Sequence, residues 1–204
     1  MDSHSEPVPT GFRQKFIQVL AGDLALIDFE EWLYKAKGLE KNLPEKVYLS
    51  LLELDYKSQS AFYELYELLG TLVDIGSVEA YELLKLIGRL EAEGSDFPEA
   101  LQECYDLYTD GCYFLETLGL NWGLMLRVPP AQYNADSWNE LSDSEKAHLF
   151  TSLDLDQIRR EVSLFRKWIE KREIIVIRRP NEFPRFECID RRPTEDKSNG
   201  KSKI

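Results

Sequence analysis

Glu145 and His148 stand three residues apart in "EKAH", the spacing of one Glu-x-x-His half of a di-iron site in a helical bundle. Such a site needs a second copy on another helix, and the only other histidine is His4, in the N-terminal tail. His148 is therefore expected to be a surface or packing residue, and no metal ligand is assigned. Cys104, Cys112 and Cys188 lack both ligand-like spacing and the histidine partner that a nucleophilic thiol normally uses. Cys104 and Cys112 fall in one predicted helix, about 12 Å apart at a rise of about 1.5 Å per residue, too far for a disulfide. All three read as reduced, buried small hydrophobes. The chain has no phosphate-cradling glycine loop, no G-x-S-x-G elbow, no H-E-x-x-H and no paired C-x-x-C. Among 37 carboxylates, no two can be singled out as general acid and base from spacing alone. No catalytic residue and no cofactor is expected.

One pattern rises above this background. Glu99, Glu103, Asp106 and Asp110 recur at steps of four, three and four on a predicted helix, and no Lys or Arg occurs between Arg89 and Arg127. Like charges at this spacing each cost an isolated helix about 0.2–0.5 kcal/mol, so the stripe serves either solubility or a basic partner. These four residues are the candidate partner-binding site. The neighbouring helix over 78–93 instead mixes Glu82, Lys85, Arg89 and Glu93 and can pair its own charges.

The wider charge distribution has the same polarity. Residues 1–157 carry 29 acidic and 11 basic side chains, a net −18, whereas residues 158–204 carry 8 and 14, a net +6. The chain is bipolar, an acidic body with a basic end, and its net charge of −12 argues against direct nucleic-acid binding by the molecule as a whole. Arg178, Arg179, Arg185, Arg191 and Arg192 are expected to clamp the protein's own acidic body, since short strands carry no stacking platform for bases. No window approaches the roughly 18 uninterrupted apolar residues of a membrane span, and "MDSHSEPVPTG" lacks the pattern of a signal peptide. A cytoplasmic location is expected, with no membrane partner.

The elements that must hold these residues are mostly helical. Asp28 with Glu31, Asp96 with Glu99, Ser142 with Glu145 and Asp154 with Gln157 fit the capping-box pattern. Apolar steps of three and four, as in Phe62, Leu65, Tyr66, Leu69, Leu72 and Val73, agree with them. Helices are predicted over 11–22, 28–39, 44–55, 59–75, 78–93, 97–118, 142–150 and 155–171. Residues 119–138, with two glycines and the pair Pro129 and Pro130, read as an extended surface link. Its "LMLRV" at 124–128 could form a short strand, and its Trp122, Tyr133 and Trp138 are either interface anchors or buried plugs. Ile174–Ile177 and "RFECID", on either side of a turn bracketed by Pro180 and Pro184, predict a β-hairpin over 173–191. Some of Ile175, Ile177, Phe186 and Cys188 should face the helical body. The expected fold class is mainly α: a multi-helix bundle with a small C-terminal hairpin, one domain over 10–192, between disordered tails at 1–9 and 193–204.

The run "FEEWLYKAKGLEKNLPEKVYLSLLELDY" resembles the N-terminal stretch of small acidic bacterial proteins that act as immunity partners of polymorphic or contact-dependent toxins. The resemblance lies in Phe29, Trp32, Leu33, Tyr34, Leu39, Glu40, Asp55 and Tyr56 and covers about a quarter of the chain. It implies a cytoplasmic, non-enzymatic protein that binds and blocks a cognate, cationic, nuclease-like toxin. Complementary charge would steer that association. Two other readings stand beside it: a helical adaptor or self-associating scaffold, and a carboxylate-based enzyme or small-molecule binder using Asp55, Tyr56, Tyr105 and Asp106.

Overall fold

Ser142 does at its helix start what its sequence predicts: its hydroxyl accepts the Glu145 N–H, and the Glu145 carboxylate accepts the Ser142 N–H at 2.8 Å. Asp154 likewise accepts the Gln157 N–H, at 2.9 Å. The other two pairs differ. One helix begins at Leu26, so Asp28 lies inside its first turn, where its charge favours the helix dipole without capping it. Asp96 occupies a cap position, but its carboxylate accepts from Arg89 Nε at 2.8 Å.

The computed structural model describes residues 8–178 and 183–193, apart from the side chain of Ile75. The expectations for His4, Arg179, Pro180 and most of the two tails lie outside these residues. Within them the chain is mainly α with a small C-terminal antiparallel hairpin. It groups into two compact units divided between Tyr81 and Glu82.

The first unit contains α1 (Thr10–Leu20), α2 (Leu26–Lys35), α3 (Leu39–Asn42), α4 (Glu45–Glu53), α5 (Ala61–Gly70) and the start of α6 (Ile75–Ala92). Its core is built from the apolar stripes of these helices, with Phe16, Phe29, Leu33, Leu39, Leu51, Leu65 and Leu69 fully buried. Each such side chain contributes roughly 1.5–3 kcal/mol when removed from water. Phe16, Phe29 and Trp32 form an edge-on and tilted aromatic cluster with ring centroids 5.4–6.2 Å apart. Tyr56 joins it, 6.1 Å from Phe29, and its hydroxyl donates to the Leu51 carbonyl at 2.8 Å. Burial pushes the Tyr56 phenol well up from its ordinary value. Val8, in the segment expected to be a tail, packs against this core. The expected stripe of α5 holds at Leu65, Leu69 and Val73, which are buried, and at Tyr66 and Leu72, which pack against the core; Phe62 alone departs from it, 45% exposed, and Ala61 is buried in its place.

The second unit holds the rest of α6, α7 (Phe97–Thr109), a π-helical segment (Thr117–Gly123), α8 (Leu124–Arg127), α9 (Asp143–Thr151), α10 (Leu155–Glu170), β1 (Ile174–Arg178) and β2 (Phe186–Asp190). Here the sequence reading of 119–138 is corrected. Residues 119–127 are helical rather than an extended link, with Leu124–Arg127 forming α8 rather than a third strand; from Val128 the chain is irregular, broken by short 3-10 turns at Ala131–Tyr133 and Trp138–Glu140. Gly119 and Gly123 lie against α7, where a Cβ on Gly123 would stand 2.3 Å from the Leu101 carbonyl oxygen. Two glycines that resemble loop residues instead allow two helical backbones to touch.

The predicted helix over 97–118 ends at Thr109 because Gly111 turns the chain at φ +118. There the hairpin closes in: Phe186 N–H donates to the Asp110 carbonyl at 2.9 Å, and a Cβ on Gly111 would stand 2.3 Å from the Phe186 oxygen. Residues Ile174–Arg178 pair with Phe186–Asp190 in antiparallel register, Val176 opposite Cys188. Ile174, Val176 and Phe186 are buried and Cys188 half-buried, so the β1 face is one residue out of phase with the expected Ile175 and Ile177. An unbroken run of branched residues carries no alternation to fix the phase.

Candidate functional site

The acidic stripe lies along α7 as its spacing predicts, but the protein's own arginines answer it. Arg89 pairs with Glu103 and Asp96, Arg127 stands 3.7 Å from Asp106, and Arg185 stands 3.8 Å from Asp110. The carboxylate of Asp96 is held below its ordinary value by the Arg89 hydrogen bond. Of the four stripe residues only Glu99 has no ion pair among the described residues. The bases that bound the arginine-free window in sequence fold back over it in space. Farther along, Arg159 grips Glu93 through two nitrogens and Arg166 grips Glu91 at 2.6 and 2.7 Å. The Arg159 hydrogen bonds hold the Glu93 carboxyl below its ordinary value. Such bidentate pairs fix geometry as well as charge.

The C-terminal arginines behave in two ways. Arg185 reaches Asp110 on the helical body, as expected of a clamp. Arg192, just past β2, pairs with Asp190 at the end of that strand and lies 4.3 Å above the Trp168 ring. Arg178 lies over Phe186, and Arg191 bonds through its backbone N–H to the Glu173 carbonyl.

A second acidic surface, which sequence reading missed, lies in the first unit. A groove of about 420 Å³ between α4 and α5 is walled by Ser50, Glu53, Leu54, Tyr63, Glu64 and Glu67. Glu53, Glu64 and Glu67 are exposed and have no ion pair among the described residues. Tyr63 is 68% exposed, beside Phe62 at 45%. Part of the signal was present in "FYELYELL": Tyr63 precedes the buried Leu65 and Leu69 by two and six residues, spacings that put it off their face, whereas the three and seven residues that separate Phe62 from them carry no such sign.

No family model, curated protein or solved structure matches this chain. Most residues that carry the resemblance to immunity proteins are packing residues in this fold. Phe29, Leu33, Leu39 and Tyr56 are core, Trp32 packs against it, and Asp55 bonds the Lys57 N–H at a turn. Only Tyr34 is an exposed aromatic among them, its hydroxyl directed at the Leu52 carbonyl.

The remaining candidates resolve locally. Glu145 is engaged in the Ser142 cap, His148 is exposed with its ring 6.3 Å from Tyr133, and no cluster of three or more His, Cys, Asp or Glu suited to a metal occurs among the described residues. Trp122 and Trp138 are buried plugs. Cys104 and Cys112 are buried as expected, whereas Cys188 is only half-buried. It opens onto a second groove, of about 370 Å³, whose walls include Gly111, Tyr113, Phe183, Pro184 and Glu187. Neither groove is lined by Asp55, Tyr56, Tyr105 or Asp106. Among the described residues no helix is long and apolar enough to cross a membrane.

Proposed function

We propose that this chain is a non-enzymatic protein-binding module, most concretely an acidic immunity protein that neutralises a cognate cationic toxin by stoichiometric binding in the cytoplasm. The observation that carries the reading is the α4–α5 groove, where three carboxylates with no ion pair among the described residues surround exposed Tyr63. An aromatic anchor beside free negative charge suits a Lys- or Arg-rich surface: the ring supplies contact area and the carboxylates steer the encounter. Glu99, Glu103, Asp106 and Asp110 remain a secondary surface, since docking there would have to displace Arg89, Arg127 and Arg185. The net −18 of residues 1–157 adds a long-range attraction that both surfaces share.

The test is coexpression with the protein encoded next to it. The expected result is rescue from toxicity, a one-to-one complex, and an association rate that falls steeply with salt. Charge reversal of Glu53 and Glu67 to Lys should slow association about tenfold or more, the order that loss of steering produces. A neighbour that is neither toxic nor bound would sink the proposal. A concentration-dependent oligomer of the chain alone would then favour the scaffold reading.

A further inference from the structure

Cys188 sits at the centre of β2, with its Sγ 3.5 Å from the carbonyl of Gly111, 77 residues earlier in the chain. The residue after Gly111 is Cys112, fully buried, whose thiol donates a hydrogen bond to Cys188. Two sulfurs that share no sequence motif are thereby brought into contact by the same closure that joins Phe186 to Asp110. Their environments differ in the way that a working dithiol needs. Cys188 is half-buried and borders the 370 Å³ groove, while Cys112 is fully buried and is not among the groove's walls. The Cys112 hydrogen bond draws the Cys188 thiol below its ordinary value, against the opposing effects of burial and of the Asp190 and Glu187 carboxylates. Cys104 is the contrast: it is fully buried, and burial pushes its thiol well up.

We propose that Cys112 and Cys188 form a redox-active dithiol, with Cys188 the attacking and Cys112 the resolving thiol, that small-molecule disulfides such as oxidised glutathione convert to an intramolecular disulfide. In the first step the Cys188 thiolate attacks one sulfur of oxidised glutathione. The glutathione S–S bond breaks, a mixed disulfide forms on Cys188, and one glutathione thiolate leaves. Cys112 then gives up its proton, through water, to that thiolate and attacks Cys188 Sγ, expelling the second glutathione. Two protein thiols are oxidised and one glutathione disulfide is reduced to two thiols. The product ties β2 covalently to the turn after α7, so the hairpin becomes an oxidant-dependent fixture of the second unit.

The experiment uses the full chain, folded and reduced, incubated with oxidised glutathione, quenched in acid, unfolded and alkylated. Trypsin leaves Cys104 and Cys112 in one peptide, because no Lys or Arg falls between Arg89 and Arg127. A second cleavage at Asp106 or Asp110 separates them for mass mapping. The expected result is loss of two of the three thiols, with Cys112 and Cys188 recovered as a linked peptide pair and Cys104 alkylated. Cys112→Ser should trap glutathione on Cys188, and Cys188→Ser should leave Cys112 unreacted. A stable glutathione adduct on wild-type Cys188, a link involving Cys104, or no thiol loss would each overturn the proposal. The wild-type map decides even if a variant fails to fold.

Discussion

The carboxylates along α7 and those around the α4–α5 groove are all helix-borne, yet they face opposite fates. On α7 three of the four meet arginines of the same chain, at Arg89, Arg127 and Arg185. Around the groove, Glu53, Glu64 and Glu67 meet none among the described residues. A run of acids therefore says little about available charge until the opposing surface is known. The longest base-free stretch of sequence is the better neutralised of the two in space.

The comparison depends first on the backbone that brings Arg127 within reach of α7. Gly123→Val should have the largest effect, since a side chain there collides with the Leu101 carbonyl; a loss of about 3 kcal/mol is expected for forced overpacking. Urea denaturation would measure it, and an unchanged midpoint would mean that the close approach is not required. Next comes Arg89→Ala, which strips Glu103 and Asp96 of their partner. These side chains are more than a third exposed, so screening limits the stability loss to below about 1 kcal/mol. The sharper readout is recognition: if unpairing matters, this variant should bind cationic proteins faster than the parent does.

Acid titration reads another carboxylate that the chain's own arginines answer. Glu93 is held below its ordinary carboxylate value of 4.5 by Arg159. Its contribution is present above that value and is lost as pH falls through the lowered one. Arg159→Ala should lower stability near pH 7, where that contribution is fully present, and flatten the acid limb below about pH 4.5, so that variant and parent converge at low pH. The smallest expected effect is at the groove. Replacing Glu64 or Glu67 by Gln should change stability by no more than about 0.5 kcal/mol, with a slight gain if the two carboxylates repel at their three-residue spacing. Thermal melts would register this, and a larger loss would mean that the groove acids are structural.

Much of the fold was legible because helix signals are local. The Ser142 box and the apolar steps of α5 and α6 need only neighbouring residues to be read. The misreadings occurred where one residue type serves two physical ends. Gly119 and Gly123 can loosen a chain or let two helices touch, and only α7 decides between these. "LMLRV" is too short for its periodicity to separate strand from helix, and Ile174–Ile177 lacks the alternation that would show which side faces inward. For the candidate site, the four acids of α7 could be read but their arginine partners could not. Arg185 is brought to Asp110 by the hairpin, and the contact of Cys188 with Cys112 arises from the same long-range closure.

The hydrogen bond from Phe186 to the Asp110 carbonyl also bears on how the chain comes into being. A growing polypeptide can complete the core of the first unit, whose buried residues run from Phe16 to Val78, soon after those residues emerge. The end of α7 must wait until β2 has been synthesised before its carbonyl meets that partner. The two units thus mature on different clocks during translation, and in the interval the exposed end of α7 is open to any extended strand that reaches it first.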